Sequence, residues 1–229
     1  MTKRQGANIL SVIVLLFAAS GGAARAQDAP VFDPEQVPAE GRRAQDFLPR
    51  GWKVGAGVEG DLNGDRLPDR ALQLVPDDYD PAGVGAAPES HALVVLLSSE
   101  GGRLRRAAVA TKLLVPAAPQ YGIEMSIKNG VLVVNQNFGM TDVADLTHRF
   151  RLDPASGRFL LIGKDTFSYH RPQGPDWPST RVSENYLTGL RLTTTERYLN
   201  SGKSSATTER GRAARARVFL EDVDEDPDN

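Results

Sequence analysis

The chain has 229 residues, enough for one or two domains, and its charges nearly cancel, with 27 Lys and Arg against 29 Asp and Glu. This balance disfavours a general nucleic-acid binder, which needs a basic face to release counterions. The absence of cysteine excludes disulfides, thiolate metal ligands and a cysteine nucleophile. A hydrophobic share of 40% with 22 Gly and 15 Pro is typical of a loop-rich globular protein rather than a disordered chain.

The N-terminus has the pattern of a secretory signal peptide. Lys3 and Arg4 give a positive start, residues 9–19 (ILSVIVLLFAA) form an apolar run interrupted only by Ser11, and Ala24-Arg25-Ala26 resembles a cleavage site. A spanning helix needs about 20 apolar residues, so we expect export rather than anchoring, and no membrane span in the mature chain. Removal of residues 1–26 would leave 24 basic and 29 acidic groups, a net charge of −5, on a periplasmic or extracellular protein.

The rest of the chain divides by composition into three parts. Residues 27–46 are polar and interrupted by prolines, which predicts a linker. In residues 47–221 apolar side chains recur with period two in short runs, which predicts one all-β domain of about nine to eleven mostly antiparallel strands, either a sandwich or a sheet derived from a single propeller blade. Residues 222–229 are nearly all acidic and predict a disordered tail.

Several strands and turns can be placed individually. Residues 92–97 are apolar at consecutive positions, so we expect a strand buried on both faces. Asn129-Gly130 predicts a type I′ hairpin turn, because both central positions of that turn need positive φ. Further strands are predicted at residues 72–75, 125–127, 131–134, 148–152, 158–163, 190–199 and 216–220. The long loops at residues 76–90 and 170–180 are candidate binding surfaces.

The segment from Asp61 to Asp69 carries the clearest chemistry in the chain. Oxygen-bearing side chains recur at positions 1, 3, 5 and 9 of this segment, in Asp61, Asn63, Asp65 and Asp69. Calcium prefers six to eight oxygen ligands, including a backbone carbonyl at position 7, which is Leu67 here. Three carboxylates so close together repel one another unless a cation lies between them. The sequence therefore predicts a calcium loop, with an ordinary acidic turn as the alternative.

The loop is not an EF-hand, because position 12 is Leu72 rather than a bidentate Glu. With a strand on either side, residues 60–74 (GDLNGDRLPDRALQL) resemble the calcium loops of FG-GAP/VCBS repeats. The segments FLPRGW, SIKNGVLVV and FLLIGKDTFSYHR resemble exported bacterial proteins of that type. The resemblance implies a fold and a calcium ion but no reaction. The chain departs from the pattern in having Arg66 where such loops usually have Gly, and in having only Phe138 in the segment 137–145, which is aromatic-rich in that family.

Catalytic patterns are weak by comparison. His91, His148 and His170 are isolated in the sequence, and a zinc site would need them to assemble from distant segments. No G-x-S-x-G nucleophile motif is present. Glu59, Glu124 and Glu184 are candidates for the paired carboxylates of a glycosidase, but sequence cannot place any pair at the required separation. We therefore expect a protein without a catalytic role.

A second candidate surface lies near residues 169–180. Tyr169, Arg171 and Trp177 fall close to one loop rich in Pro and Gly, where exposed aromatic rings can stack on a sugar or a protein partner. The alternative is that Trp177 covers a sheet edge. The sequence as a whole predicts an exported, calcium-stabilised β-domain that acts as a binding or structural module with an unknown protein or glycan partner. A hydrolase acting on envelope glycans or peptides, and a protein inhibitor that presents loops 76–90 and 170–180, are the alternatives.

Overall fold

The computed structural model describes residues 31–80, 90–115, 122–172, 177–198, 203–214 and 217–225. The predicted signal peptide lies outside these ranges, as do residues 81–89 of the first long loop, residues 173–176 of the second, and the last four residues of the chain. In the described part of the chain, no helix is long and apolar enough to cross a membrane.

The described residues form strands joined by turns and three short 3₁₀ helices, at Pro34–Gln36, Ala44–Phe47 and Leu220–Asp222. The strands are β1 (Glu40–Gly41), β2 (Trp52–Gly60), β3 (Asp69–Pro76), β4 (Ala92–Ser99), β5 (Arg103–Ala110), β6 (Ile123–Lys128), β7 (Val131–Phe138), β8 (Asp142–Leu152), β9 (Phe159–His170), β10 (Ser179–Asn185), β11 (Leu190–Tyr198) and β12 (Ser204–Arg212).

Two antiparallel sheets contain all of these strands. Sheet A has the order β1-β5-β4-β3-β2, and sheet B has the order β12-β11-β10-β9-β8-β7-β6. The prediction of an all-β, mostly antiparallel fold is confirmed. The two sheets share a hydrophobic core, in which Val95 and Ala108 of sheet A pack with Leu132, Val134 and Phe150 of sheet B.

Strand β4 lies at the centre of sheet A, and its apolar residues 92–97 are all buried, as their consecutive apolar pattern predicts. Alternate residues of β4 serve two different cores. Leu93, Val95 and Leu97 face the core between the sheets. Val94 and Leu96 face a second core on the outer side of sheet A.

Residues 31–46 differ from the predicted linker, because they form the cover of this second core. Phe32 and Val37 are buried there, and the ring of Phe32 meets the edge of Trp52 at a centroid distance of 4.7 Å. Strand β1 pairs with β5, and the guanidinium of Arg106 donates to the carbonyl oxygens of Pro34 and Val37. Order therefore begins well before Phe47.

The acidic end of the chain also differs from the predicted disordered tail. Leu220 and Val223 are buried in the core between the sheets. Residues 220–222, at the end of the predicted strand 216–220, form a 3₁₀ helix, and Phe219 makes only an isolated bridge with Leu160. The described part of the tail, up to residue 225, is therefore folded.

Acidic side chains of this tail pair with basic residues that are distant in the sequence. Arg158 binds Glu221 at 3.0 Å and Asp222 at 2.9 Å, Lys112 binds Asp224 at 2.8 Å, and Glu225 accepts from Lys164 at 2.5 Å and contacts His148 Nε2 at 3.0 Å. Burial of the Glu225 carboxyl raises its pKa, but hydrogen bonds from His148 and Lys164 outweigh this and hold the pKa below its usual value.

The predicted hairpin turn between β6 and β7 is present and lies beside the segment from Asp61 to Asp69. Asn129 and Gly130 have φ values of 52° and 73°, as a type I′ turn requires. A Cβ atom at Gly130 would lie 3.7 Å from the carbonyl oxygen of Leu62, and one at Gly60 would lie 2.7 Å from Cγ2 of Ile127. Only glycine fits at position 60, so the chain enters the loop in close contact with sheet B.

Candidate functional site

The segment from Asp61 to Asp69 connects β2 to β3, and its first carboxylate organises it. Oδ1 of Asp61 accepts from the backbone N–H groups of Gly64 at 2.6 Å and Asn63 at 3.2 Å, and Oδ2 accepts from Arg66 at 2.9 Å. Slight desolvation raises the pKa of Asp61, but these backbone hydrogen bonds outweigh it and lower the pKa below its usual value. The carboxylate therefore stays charged and fixes the curvature of the loop.

The middle of the loop is exposed and held by short-range hydrogen bonds. Asn63 Nδ2 donates to Asp65 Oδ2 at 2.9 Å, and the N–H of Asp65 donates to Asn63 Oδ1 at 2.9 Å. Leu67, whose carbonyl is a predicted ligand, donates its N–H to Asp65 Oδ1 at 2.8 Å. Arg66 has φ of 68°, in the left-handed region where the resembling loops have Gly. A non-Gly residue there costs about 1 kcal/mol.

The last carboxylate of the loop is buried. Asp69 is fully buried at the start of β3, and its oxygens accept from the N–H groups of Leu62 at 2.8 Å and Ser98 at 2.7 Å. Desolvation raises the pKa of Asp69, the two N–H donors oppose this, and the charges of Asp65 and Asp61 raise it further. In the described part of the chain no Lys, Arg or His forms a salt bridge with Asp69.

All the predicted ligands therefore lie in the connection between β2 and β3 or at the start of β3. Their side chains are not arranged around a common point in the described part of the chain. Among them, no three His, Cys, Asp or Glu side chains converge closely enough to hold a metal ion. The carboxylates of Asp61 and Asp69 are each held by backbone donors, whereas Asn63 and Asp65 bond to each other at the surface.

The three histidines lie in separate places. His91 is buried beside Gln73, with Nδ1 3.4 Å from the amide nitrogen, and burial lowers its pKa to about 4. His148 is buried against the folded tail. His170 contacts Asp142 at 2.8 Å and stacks on Trp177 at a centroid distance of 4.0 Å. The structure does not bring these histidines together.

The three candidate glutamates lie on three different strands. Glu59 on β2 pairs with Arg70 at 2.8 Å. Glu184 on β10 and Glu124 on β6 belong to the same sheet with three strands between them. Strands lie about 4.8 Å apart, so these two are on the order of 19 Å apart, beyond the span of about 5–9.5 Å that glycosidases use.

Aromatic residues near the second long loop form two separate ring pairs, which the sequence only partly predicted. Phe167 and Tyr169 lie 5.4 Å apart on one face of β9. Arg181 lies over the Phe167 ring at 4.6 Å, and Arg171 donates to the Tyr169 hydroxyl at 2.8 Å. Trp177 is 52% exposed and stacks on His170. The predicted loop 137–145 is shorter than expected, because Asn137 and Asp145 are paired across β7 and β8 and are hydrogen-bonded to each other.

A cleft of about 360 Å³ lies where the first and third 3₁₀ helices meet β5. Its lining includes Glu35, residues 106–109 of β5 and Glu221. The Arg106 guanidinium is engaged by backbone carbonyls, and Arg158 binds one oxygen of Glu221. The cleft is therefore a gap between the two 3₁₀ helices and β5.

The chain was compared with protein-family models, with curated proteins and with solved structures, and none of them matched it.

Proposed function

We propose that this protein is an exported β-domain whose loop at residues 61–69 binds one calcium ion, and that the domain acts as a binding or structural module rather than an enzyme. The predicted signal peptide supports export. The calcium ion would fix the connection between β2 and β3, and so stabilise the part of sheet A that contacts sheet B.

The observation that carries this proposal is the environment of Asp69. A buried carboxylate is costly unless it is paired or coordinated. Asp69 has two backbone donors but no basic partner among the described residues, and two further carboxylates of the same loop raise its pKa. A bound cation would remove that unfavourable repulsion, because it attracts all three carboxylates at once.

The chemistry and organisation of the loop also favour calcium. All the predicted ligands are oxygen atoms, which suit a hard cation. Backbone hydrogen bonds already orient Asp61 and Asp69, at the two ends of the loop. Asn63 and Asp65 are exposed, and the three hydrogen bonds that hold their side chains lie at the surface, where each is worth about 1 kcal/mol. Both side chains can therefore turn toward an ion at modest cost.

The positions of the aromatic residues, the histidines and the glutamates favour a binding role over catalysis. Phe167 and Tyr169 offer partly exposed rings beside the guanidinium groups of Arg181 and Arg171, a combination suited to a protein or glycan partner. The three histidines lie in separate places, and the three candidate glutamates lie on different strands.

The calcium site can be tested by titrating the protein with calcium in a calorimeter. We expect one site per chain, with a dissociation constant of about 10⁻⁴ to 10⁻³ M, the range of extracellular calcium modules. Asp65→Ala should weaken binding at least tenfold, because it removes a central carboxylate.

Asp78→Ala is the matched control, since it removes the same charge from an exposed turn outside the loop. It should leave the affinity within about twofold of the unaltered protein, as expected for a screened surface charge. Equal affinities for the two variants would contradict the assignment of the ligands.

A further inference from the structure

Strand β12 is an unusual edge for a folded protein. It forms the end of sheet B, and among the described residues no strand pairs with it on the side away from β11. All nine of its residues are exposed, and none is proline. A long exposed edge presents unpaired N–H and C=O groups and can pair with another strand.

The hydrogen-bond pattern shows which residues face the open side. The N–H of Ala213 donates to the carbonyl of Gly189 at 3.0 Å, and these two residues are directly opposite in the β11–β12 register. Because hydrogen-bonded and non-hydrogen-bonded pairs alternate in an antiparallel ladder, the odd-numbered residues of β12 bond to β11. The hydroxyl groups of the facing residues Thr194 and Thr208 are 3.0 Å apart, which suits a non-hydrogen-bonded pair. The backbone groups directed to the open side belong to Ser204, Ala206, Thr208, Arg210 and Arg212.

The charges on the strand restrict how two copies of it could pair. In an antiparallel pair related by a twofold axis perpendicular to the sheet, residues opposite each other must lie on the same face, which means both even or both odd. Registers centred on Glu209 or on Arg210 place like charges directly opposite, which is destabilising.

The register centred on Thr208 keeps opposing residues on the same face and places no like charges directly opposite each other. It sets Glu209 against Thr207 and Arg210 against Ala206, so no two charges are directly opposite. It also overlaps the whole strand, and each outward-facing residue of one copy meets an outward-facing residue of the other.

We propose that β12 pairs antiparallel with β12 of a second copy of this chain, in the register centred on Thr208, so that sheet B continues across a twofold axis. The partner is a second copy because this register pairs the whole nine-residue edge with itself and sets no two charges directly opposite each other. The interface is independent of the calcium loop, which lies between β2 and β3 in the other sheet.

Single cysteine variants test both the pairing and the register, because the chain contains no cysteine of its own. In the proposed dimer the two copies of residue 208 form a hydrogen-bonded pair with Cα atoms about 5.5 Å apart, within the range of about 4.4–6.8 Å that disulfides span. Residue 206 of one copy would face residue 210 of the other. The two copies of residue 206 would therefore be separated by four residues along the strands, or about 14 Å.

Under mild oxidation the Thr208→Cys variant should form disulfide dimers at least tenfold faster than Ala206→Cys or Arg210→Cys alone. A mixture of the Ala206→Cys and Arg210→Cys variants should cross-link to each other, because these positions are opposite in the proposed register. Equal rates at all three positions would overturn the proposal.

A proline variant provides a second readout without cysteine. Thr208→Pro removes an N–H that faces the open edge and leaves the ladder with β11 intact, a position that edge strands tolerate. In sedimentation experiments the unaltered protein should dimerise with rising concentration, and Thr208→Pro should remain monomeric with an unchanged circular dichroism spectrum. A monomeric unaltered protein, or a dimer that survives Thr208→Pro, would overturn the proposal.

Discussion

Leu220→Ala should lower the free energy of unfolding by about 2–5 kcal/mol, the usual cost of truncating a fully buried leucine. Leu220 has no exposed surface and belongs to the core between the sheets. The change leaves a cavity where the acidic end of the chain closes that core. Denaturant unfolding, followed by fluorescence or circular dichroism, measures the loss directly.

Leu187→Ala is the matched control, because it is the same substitution at a leucine that is 53% exposed. It should cost less than about 1 kcal/mol, since little apolar surface is lost from the core. If the segment around Leu220 were not packed into the core, the two variants would be equally stable, and that result would contradict the burial of Leu220.

Acid should destabilise the protein before its carboxylates titrate, because of His91. This side chain is only 5% exposed, and burial lowers its pKa from 6.5 to about 4. Between these values the unfolded chain binds a proton that the folded chain does not, so stability falls as the pH falls. We expect a loss of about 2 kcal/mol between pH 6.5 and pH 4.5, obtained from one proton over this interval.

The His91→Gln variant should lose most of this pH dependence, because glutamine does not titrate. His170→Gln is the control, since His170 lies outside the cores and contacts the exposed carboxylate of Asp142. Unfolding curves measured at half-unit pH intervals give the slope of the unfolding free energy against pH. A loss of packing in a variant lowers the free energy equally at every pH, so it does not change this slope. An unchanged slope in His91→Gln would show that other groups cause the acid sensitivity.

Local patterns in the sequence predicted local features of the fold well. The consecutive apolar residues 92–97 identified the strand buried on both sides, and Asn129-Gly130 identified a hairpin turn with positive φ at both positions. The spacing of Asp61, Asn63, Asp65 and Asp69 located one turn that brings these residues together between two strands. Each of these sequence patterns spans only a few residues, and over so short a distance the local residues largely determine the backbone conformation.

The two ends of the domain were misjudged for the same reason. Residues 31–46 and 222–225 are mostly polar, and only a few apolar residues among them, such as Phe32, Val37 and Val223, are buried. Their positions depend on distant partners, for example Arg158 for the acidic end. Average composition cannot reveal such long-range pairing, whereas an isolated large apolar residue in a polar segment was the available signal.

Strand β12 was missed because its sequence lacks the alternation of apolar and polar residues that marks a half-buried strand. Both of its faces are exposed, and its backbone ladder with β11 supplies the pairing. Its Ser and Thr residues suit a strand but are equally common in loops. An edge of this kind becomes recognisable only when its neighbour is known.

The most direct test of the proposed calcium-stabilised module compares thermal unfolding in calcium and in chelator. A ligand that binds only the folded state at about 100 times its dissociation constant adds about 2.7 kcal/mol, which for a domain of this size corresponds to roughly 5–10 °C. Magnesium should stabilise less, because it demands octahedral geometry and dehydrates reluctantly. We therefore expect the Tm in calcium to exceed the Tm in chelator by roughly 5–10 °C, and Asp65→Ala to remove most of the difference. Identical melts of the unaltered protein in calcium and in chelator would contradict the proposal.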